Sequence, residues 1–377
     1  MLNKEEKKQE VGSISNSKVN QAGGNIVNNY NGLQAKDIVP LLKELVSFQI
    51  SQYADDAKIT AQKRFDDFGE KLTEEVTKKV IGEINRFNEP SIQLITREAA
   101  LGYVKSGDDK QGEDLIDLLI ERIKVDEHTT TQNIIDEAIK VIPTLSQNSL
   151  KLLILSAYRD LIFTGTRENY IKWLKSIDEV LKECEKINSI DIAYLQQTGC
   201  TYGVPALFPH EHYEKELLKG EDLFFCHEIT GVQYDELLKI FGLIEVPERG
   251  IVGYKNINEL VTINSVVLAN PSKRTGTVNI SSSYSLNEIL KRTESQSIKD
   301  GILKAVKLGT PYTEKEVKQK LIEINPQWNF CIDLFNREDV MAVKPTILGY
   351  YIASRQLSKI TGQHIGMDVF YKCKCPK

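Results

Sequence analysis

The chain has 377 residues, a length that predicts two or three domains, and its 41% hydrophobic and 27% charged residues suffice for sizeable cores and exclude disorder throughout. A net charge of −5 is too mild to argue by itself for nucleic acid or an acidic surface. The six cysteines are scattered, the N-terminus has no apolar signal segment, and no apolar run approaches the roughly 18 to 20 residues that span a bilayer, so a cytoplasmic protein with reduced thiols and no membrane span is expected.

Residues 1–12 are a charged start without pattern. Residues 13–32 are rich in asparagine, with three glycines and almost no charge. Gly23 and Gly24 separate two short stretches that hold Val19, Gln21, Asn25, Ile26 and Tyr30, the punctuation of a hairpin. Such a hairpin has too little apolar surface to stand alone, and another copy of the chain is the cheapest source of further strands. Residues 1–33 are therefore expected to be a β-type assembly segment; a flexible Asn/Gly linker is the plain alternative.

Residues 34–89 spell a long helix. Phe65, Phe68, Leu72, Val76, Val80, Ile84 and Phe87 recur at about 3.7 residues, a nearly straight stripe, and Ile38, Leu41, Leu42, Leu45 and Phe48 extend it upstream. A helix of about 50 residues would be roughly 75 Å long. It would have to pack against other copies, coiled-coil fashion, or lie across its own domain, and Phe65, Leu72, Val76 and Phe87 are the candidate seam. The polar run 49–60 and Gly69 allow two helices with a kink instead.

Residues 90–200 read as a packed helical domain with short connections, its central helix apolar nearly all round from Leu115 to Ile123. Residues 201–290 break into a mixed α+β region. Residues 291–377 return to helix, with a short apolar run, Lys344-Pro345-Thr346 and a further helix that together suggest a winged-helix-like unit. The fold class is mainly α, with a short N-terminal β segment and a smaller α+β C-terminal region. This last part holds 15 Lys and Arg against 9 Asp and Glu, opposite in sign to the rest. Its lysines are dispersed, so attraction to the chain's own acidic body is favoured over nucleic acid.

Each compact catalytic template fails on a specific residue. No phosphate-binding loop or nucleophile elbow is spelled out, and His210-Glu211-His212 lacks the i, i+4 histidines of a zinc-protease helix. His210 and His212 with Glu214, Cys226 and His227 are weighed as zinc ligands, and Cys373 with Cys375 as a pair, but surface histidines and an idle tail explain both. No catalytic residue, metal or cofactor is assigned. Enzyme activity stays open, with the missing motifs arguing against it.

The segment Asn20-Gln21-Ala22-Gly23-Gly24-Asn25-Ile26 with Tyr30, Gly32 and Leu33, leading into a long helix, resembles the N-terminus of a poorly characterised bacterial family. The stretches 106–122 and 139–146 resemble it as well. More distantly, Leu150-Lys-Leu-Leu with a Thr346-Ile-Leu-Gly349 helix start is similar to the Abi-alpha abortive-infection proteins of phage defence, whose Thr-Pro order is reversed here to Pro345-Thr346. That resemblance implies bacterial anti-phage defence. It leads to the expectation of a non-enzymatic homo-oligomeric sensor or scaffold, with itself and a phage protein or other infection-linked ligand as partners. The alternative is a nucleic-acid-binding or nuclease-type effector built from residues distant in sequence.

Overall fold

A computed structural model describes positions 33–371 apart from 162, 164, 205–210, 242, 247–249, 254–265 and 271–272. The expected assembly residues Val19, Gln21, Gly23, Gly24, Asn25, Ile26 and Tyr30, with His210 and the Cys373/Cys375 pair, lie outside the described residues.

The described chain is mainly α. Helix α1 (Ile38–Ser51) and α2 (Asp55–Lys79) form an antiparallel hairpin, with Val39 against Gly69 and Lys43 3.5 Å from Asp66. The single long helix is thus corrected to two. The chain turns back inside the polar run flagged in the sequence, at extended Ala54, and Asp55 and Asp56 then occupy the favourable first turn of α2. The apolar stripe is real, but α2 stops at Val80 and a 3-10 helix, Ile81–Asn88, carries Ile84 and Phe87. Phe65, Leu72, Val76 and Phe87 are all buried in the chain's own core. The seam is intramolecular, and a second copy would reach it only by unpacking α1 and α3.

Helices α3 (Pro90–Ser106), α4 (Asp109–Lys124), α5 (Thr130–Val141) and α6 (Gln147–Asp160) continue that core. Side-chain caps from Asp108, Thr129 and Ser146 satisfy first-turn amides of α4, α5 and α6. Next come α7 (Arg167–Ser176), α8 (Asp178–Leu181), α9 (Ser189–Gln197), β1 (Thr201–Gly203) and α10 (Tyr213–Gly220).

A second core follows. It comprises β2 (Ile229–Thr230), α11 (Gly231–Phe241), the antiparallel pair β3 (Leu243–Val246) and β4 (Gly250–Gly253), β5 (Val267–Asn270), β6 (Thr275–Val278), α12 (Ser283–Arg292) and α13 (Gln296–Val306). Strands β2, β6 and β5 make one antiparallel sheet in that order. Its buried cluster runs from Leu223 to Ala305, with Tyr234, Ile298 and Ile302 at the centre.

The chain then returns to the first core through α14 (Glu314–Ile324), α15 (Trp328–Phe335), α16 (Glu338–Met341), β7 (Val343–Pro345), α17 (Ile347–Thr361) and α18 (Asp368–Tyr371). The two cores therefore do not follow the expected boundaries at 200 and 290: β1 and α10 belong with the helices before them, and the second core extends past residue 300.

The winged-helix expectation needs correction. Strand β7 pairs antiparallel with β1, Thr201 opposite Pro345, and not with a hairpin wing of its own. Helix α17 would be the reading helix of such a unit, yet it is buried along Tyr351, Ile352, Ala353 and Leu357 and packs on α6 and α5. Gly349 explains why its first turn fits: a Cβ there would stand 2.0 Å from the Cys200 carbonyl oxygen, so only glycine allows α17 to approach β1 this closely. The basic C-terminal part meets acidic α4. Lys359 contacts Asp114 at 2.6 Å and Asp117 at 2.7 Å, and Arg355 pairs with Glu121. Burial alone would raise Asp117, but Lys359 and Lys79 outweigh it and hold the carboxyl below its usual value.

Candidate functional site: a cleft closed by Glu221

Helix α6 is buried from Leu152 through Tyr158 and ends where Leu161 turns extended. This places Tyr158, Arg159 and Asp160 in its last turn, facing α10 and β7. Helix α10 ends at Gly220, and the next residue, Glu221, sits where the chain leaves the first core for the second. There Phe224 N–H donates to both Glu221 O and Ser281 O, and Ser283 binds Asp222. Between these elements lies a cleft of about 390 Å³, within the usual size of small-molecule sites.

Six aromatic residues stand in its wall, Tyr158, Phe163, Tyr170, Trp173, Tyr213 and Phe335. Tyr158 stacks on Trp173 at 5.4 Å, Phe163 leans on Tyr170 at 5.3 Å, and Tyr213 meets Phe335 edge-on at 4.7 Å. The cations of the lining are already engaged. Arg159 binds both oxygens of Glu216 (2.7 and 2.8 Å) and donates to the carbonyls of Phe335 and Glu211. Lys344 lies 3.3 Å from Asp160, which also accepts from the Tyr350 hydroxyl at 2.5 Å, and Lys219 pairs with Glu211.

Two residues of the lining each hold one polar atom that is closed to solvent and without a partner, Tyr158 Oη and Glu221 Oε2, as do core residues away from the cleft such as Arg122 at Nη1 and Gln111 at Oε1. Tyr158 and Glu221 are both 4% exposed. Glu221 Oε1 accepts from Phe163 N–H at 2.9 Å, which leaves the second oxygen with nothing. Burial pushes the Glu221 carboxyl up to about 8, against the opposing pull of the Phe163 amide and the Ser281 hydroxyl. At neutral pH it is mostly a protonated acid. The phenols of Tyr158, Tyr170 and Tyr213 are driven up by the same desolvation and stay neutral. A buried hydroxyl or carboxyl without a partner costs about 1 to 3 kcal/mol, so the cleft is shaped at the expense of stability.

The zinc candidates do not converge. His212 precedes α10; Glu214 is buried and accepts from Asn336 Nδ2 at 2.8 Å; Cys226 donates to the Leu223 carbonyl inside the second core; His227 is half-exposed, 3.3 Å from Glu316. Among the described residues, no group of three or more His, Cys, Asp or Glu side chains could hold a metal ion. Sequence reasoning missed Glu221, Tyr158 and Arg159. The one available signal was weak: α6 is apolar on nearly every side and therefore central, so polar residues in its last turn must face something inside the molecule.

A family model matches residues 32–370, almost the whole chain, under a bare "-like" description with no activity attached. The chain belongs to that family. No curated protein and no solved structure matches it. The match covers both cores and the cleft between their elements. Among the described residues no helix is long and apolar enough to cross a membrane.

Proposed function

We propose that the protein is a non-enzymatic sensor of bacterial anti-phage defence, in which a small ligand seats in the Glu221 cleft and residues 1–33 join copies into the assembly that the ligand changes. The observation that carries the sensing half is the pair of unpartnered buried groups, Tyr158 Oη and Glu221 Oε2, in one aromatic-lined cleft. Neither atom presents surface to the cleft as it stands, so a bound molecule partners them once the side chains around them shift. The cleft also touches the segment that joins the two cores, so its occupancy bears directly on how they are held. Defence rests on the sequence resemblance to abortive-infection proteins, and self-association on the strand-turn-strand spelling around Gly23 and Gly24. The basic C-terminal part supports this reading over a nucleic-acid effector, because Lys344, Arg355 and Lys359 are engaged by carboxylates of the chain's own helices.

A phage-plaquing assay of the parent, a deletion of residues 1–33 and Tyr158→Phe tests both halves, with light scattering on the purified proteins. The deletion should lower the mass and abolish protection, and Tyr158→Phe should abolish protection at unchanged mass. A deletion of unchanged mass rejects the assembly element. A parent that gives no protection rejects the defence role.

A further inference from the structure

We infer that Cys184 and Cys331 form a modification site, a pair of thiols that a peroxide converts into a disulfide across the first core. The inference stands apart from the reading of the cleft and needs no ligand there.

The fold places the two thiols side by side. Cys184 opens the 3-10 turn Cys184–Lys186 that follows α8, and of the three residues in that turn it alone is buried. The turn packs on α15, so Cys184 is the residue it presents there. Cys331 of α15, itself wholly buried, meets it with a hydrogen bond between the two thiols. On its outer side the site is only a surface turn. Lys182 and Glu183, just before Cys184, are more than half exposed, and Glu183 holds a left-handed φ of 63°, a conformation that non-glycine residues disfavour. A short, strained, exposed turn is where local opening starts, and it gives a small oxidant its way in. Lys151 of α6 donates to the Lys182 carbonyl at 2.8 Å and stands 3.8 Å from Glu183, which brings its positive charge beside Cys184.

The pair is asymmetric. The hydrogen bond from Cys331 and the charge of Lys151 hold the Cys184 thiol below its usual range against the opposing effect of burial, whereas burial pushes the Cys331 thiol well up. Cys184 is therefore the thiol that ionises and is attacked first. It gives its proton to solvent and its sulfur attacks one peroxide oxygen; the O–O bond breaks, and the departing hydroxide takes up a proton and leaves as water. Cys184 is then a sulfenic acid. The Cys331 sulfur attacks the Cys184 sulfur, the S–O bond breaks, and the Cys331 proton departs with the hydroxyl as a second water. Two thiols have thus given two electrons to one peroxide, leaving one disulfide and two waters. The bond ties the turn after α8 to α15, the helix whose Trp328 and Phe335 pack against Tyr213. Cys200 and Cys226 are pushed up by burial, Cys226 donates to the Leu223 carbonyl, and both stay reduced.

The test treats the full-length, reduced chain with hydrogen peroxide at neutral pH, blocks the remaining thiols with N-ethylmaleimide under denaturation, and maps the peptides by mass spectrometry. The peptides holding Cys184 and Cys331 should be joined by a disulfide that a reductant reverses, with Cys200 and Cys226 alkylated. In Cys331→Ser, dimedone should label Cys184 as the sulfenic acid; in Cys184→Ser, Cys331 should stay unlabelled. Lys151→Met should slow formation of the disulfide at least about threefold, and Lys151→Arg should keep the rate. Circular dichroism confirms that each variant is folded, and the peptide map of the parent decides the matter without any variant. The inference is overturned if no Cys184–Cys331 disulfide forms at peroxide concentrations that fully oxidise free cysteine, or if it forms only in urea. Dimedone labelling of Cys331 in place of Cys184, or a rate that ignores Lys151→Met, overturns the assigned order of attack.

Discussion

Arg122 in α4 and Glu221 after α10 are buried to a similar depth, 0% and 4% exposed, and each keeps one atom without a hydrogen-bond partner, Arg122 Nη1 and Glu221 Oε2, but the protein matches the charge of the first and not of the second. Arg122 donates from Nε to Asp136 and from Nη2 to Glu127, both at 2.8 Å, and Glu127 in turn binds Ser91 and Arg86. Glu221 has the Phe163 amide and the nearby Ser281 hydroxyl to favour its charge but no cation, and burial outweighs both. The first arrangement is what holding a fold together requires. The second weakens the fold where it stands, and makes sense as a site that something else completes. What differs between the two is charge pairing: Arg122 has two carboxylates of the protein's own, and Glu221 has no cation.

The comparison can be broken most forcefully at Arg122. Removing one member of a buried ion network typically costs about 3 to 5 kcal/mol, so Arg122→Ala should lose that much in urea unfolding. A loss below about 1 kcal/mol would place Arg122 and Glu221 in the same class. The apolar counterpart is Phe65, fully buried under α1: Phe65→Ala should cost about 3 to 5 kcal/mol and leave the mass of the native protein unchanged, because its seam is internal. A lower mass in the folded variant would mean that the seam also serves another copy.

At Glu221 the sign follows from linkage. The carboxyl titrates near 4.5 when unfolded and near 8 when folded, so the native state holds the proton more tightly across that interval. The stabilisation is complete below about pH 4.5 and is lost as pH rises through 8. Between about pH 5 and pH 8.5 it should amount to about 3 to 4 kcal/mol, and stability measured against Glu221→Gln should fall by that amount over the same range. A parallel pH profile in the two proteins would show that Glu221 is not desolvated.

Gly349→Ala, which drives a Cβ into the Cys200 carbonyl, should cost about 1 to 3 kcal/mol by forcing α17 off β1.

How these features were written in the chain differs by kind. The core was legible because burial repeats with the helix period: the stripe from Phe65 to Phe87 lies inside the protein as its spacing implied, and the polar run 49–60 marks the turn between α1 and α2. The termination at Val80 was not legible, since the stripe continues across it and only the packing of the 3-10 helix against α3 changes the winding. Nor was the pairing of β7 with β1, which joins residues about 140 positions apart through the close approach at Gly349. The cleft was hidden for the same reason. Tyr158, Tyr213 and Glu221 come from separate helix ends and are brought together by packing, which no local pattern of residues encodes. The charge asymmetry has a counterpart in the fold where Lys359 meets Asp114 and Asp117 of α4.

The smallest change in stability belongs to the most direct test. Tyr158→Phe deletes a single oxygen that has no partner, in a ring that otherwise keeps its stacking on Trp173. If the hydroxyl is there for a ligand, urea unfolding of the ligand-free variant should show stability unchanged or raised by about 1 kcal/mol, while phage protection is lost. A variant that is clearly less stable than the parent, or one that protects as the parent does, would contradict the claim that the cleft is kept open for a bound molecule.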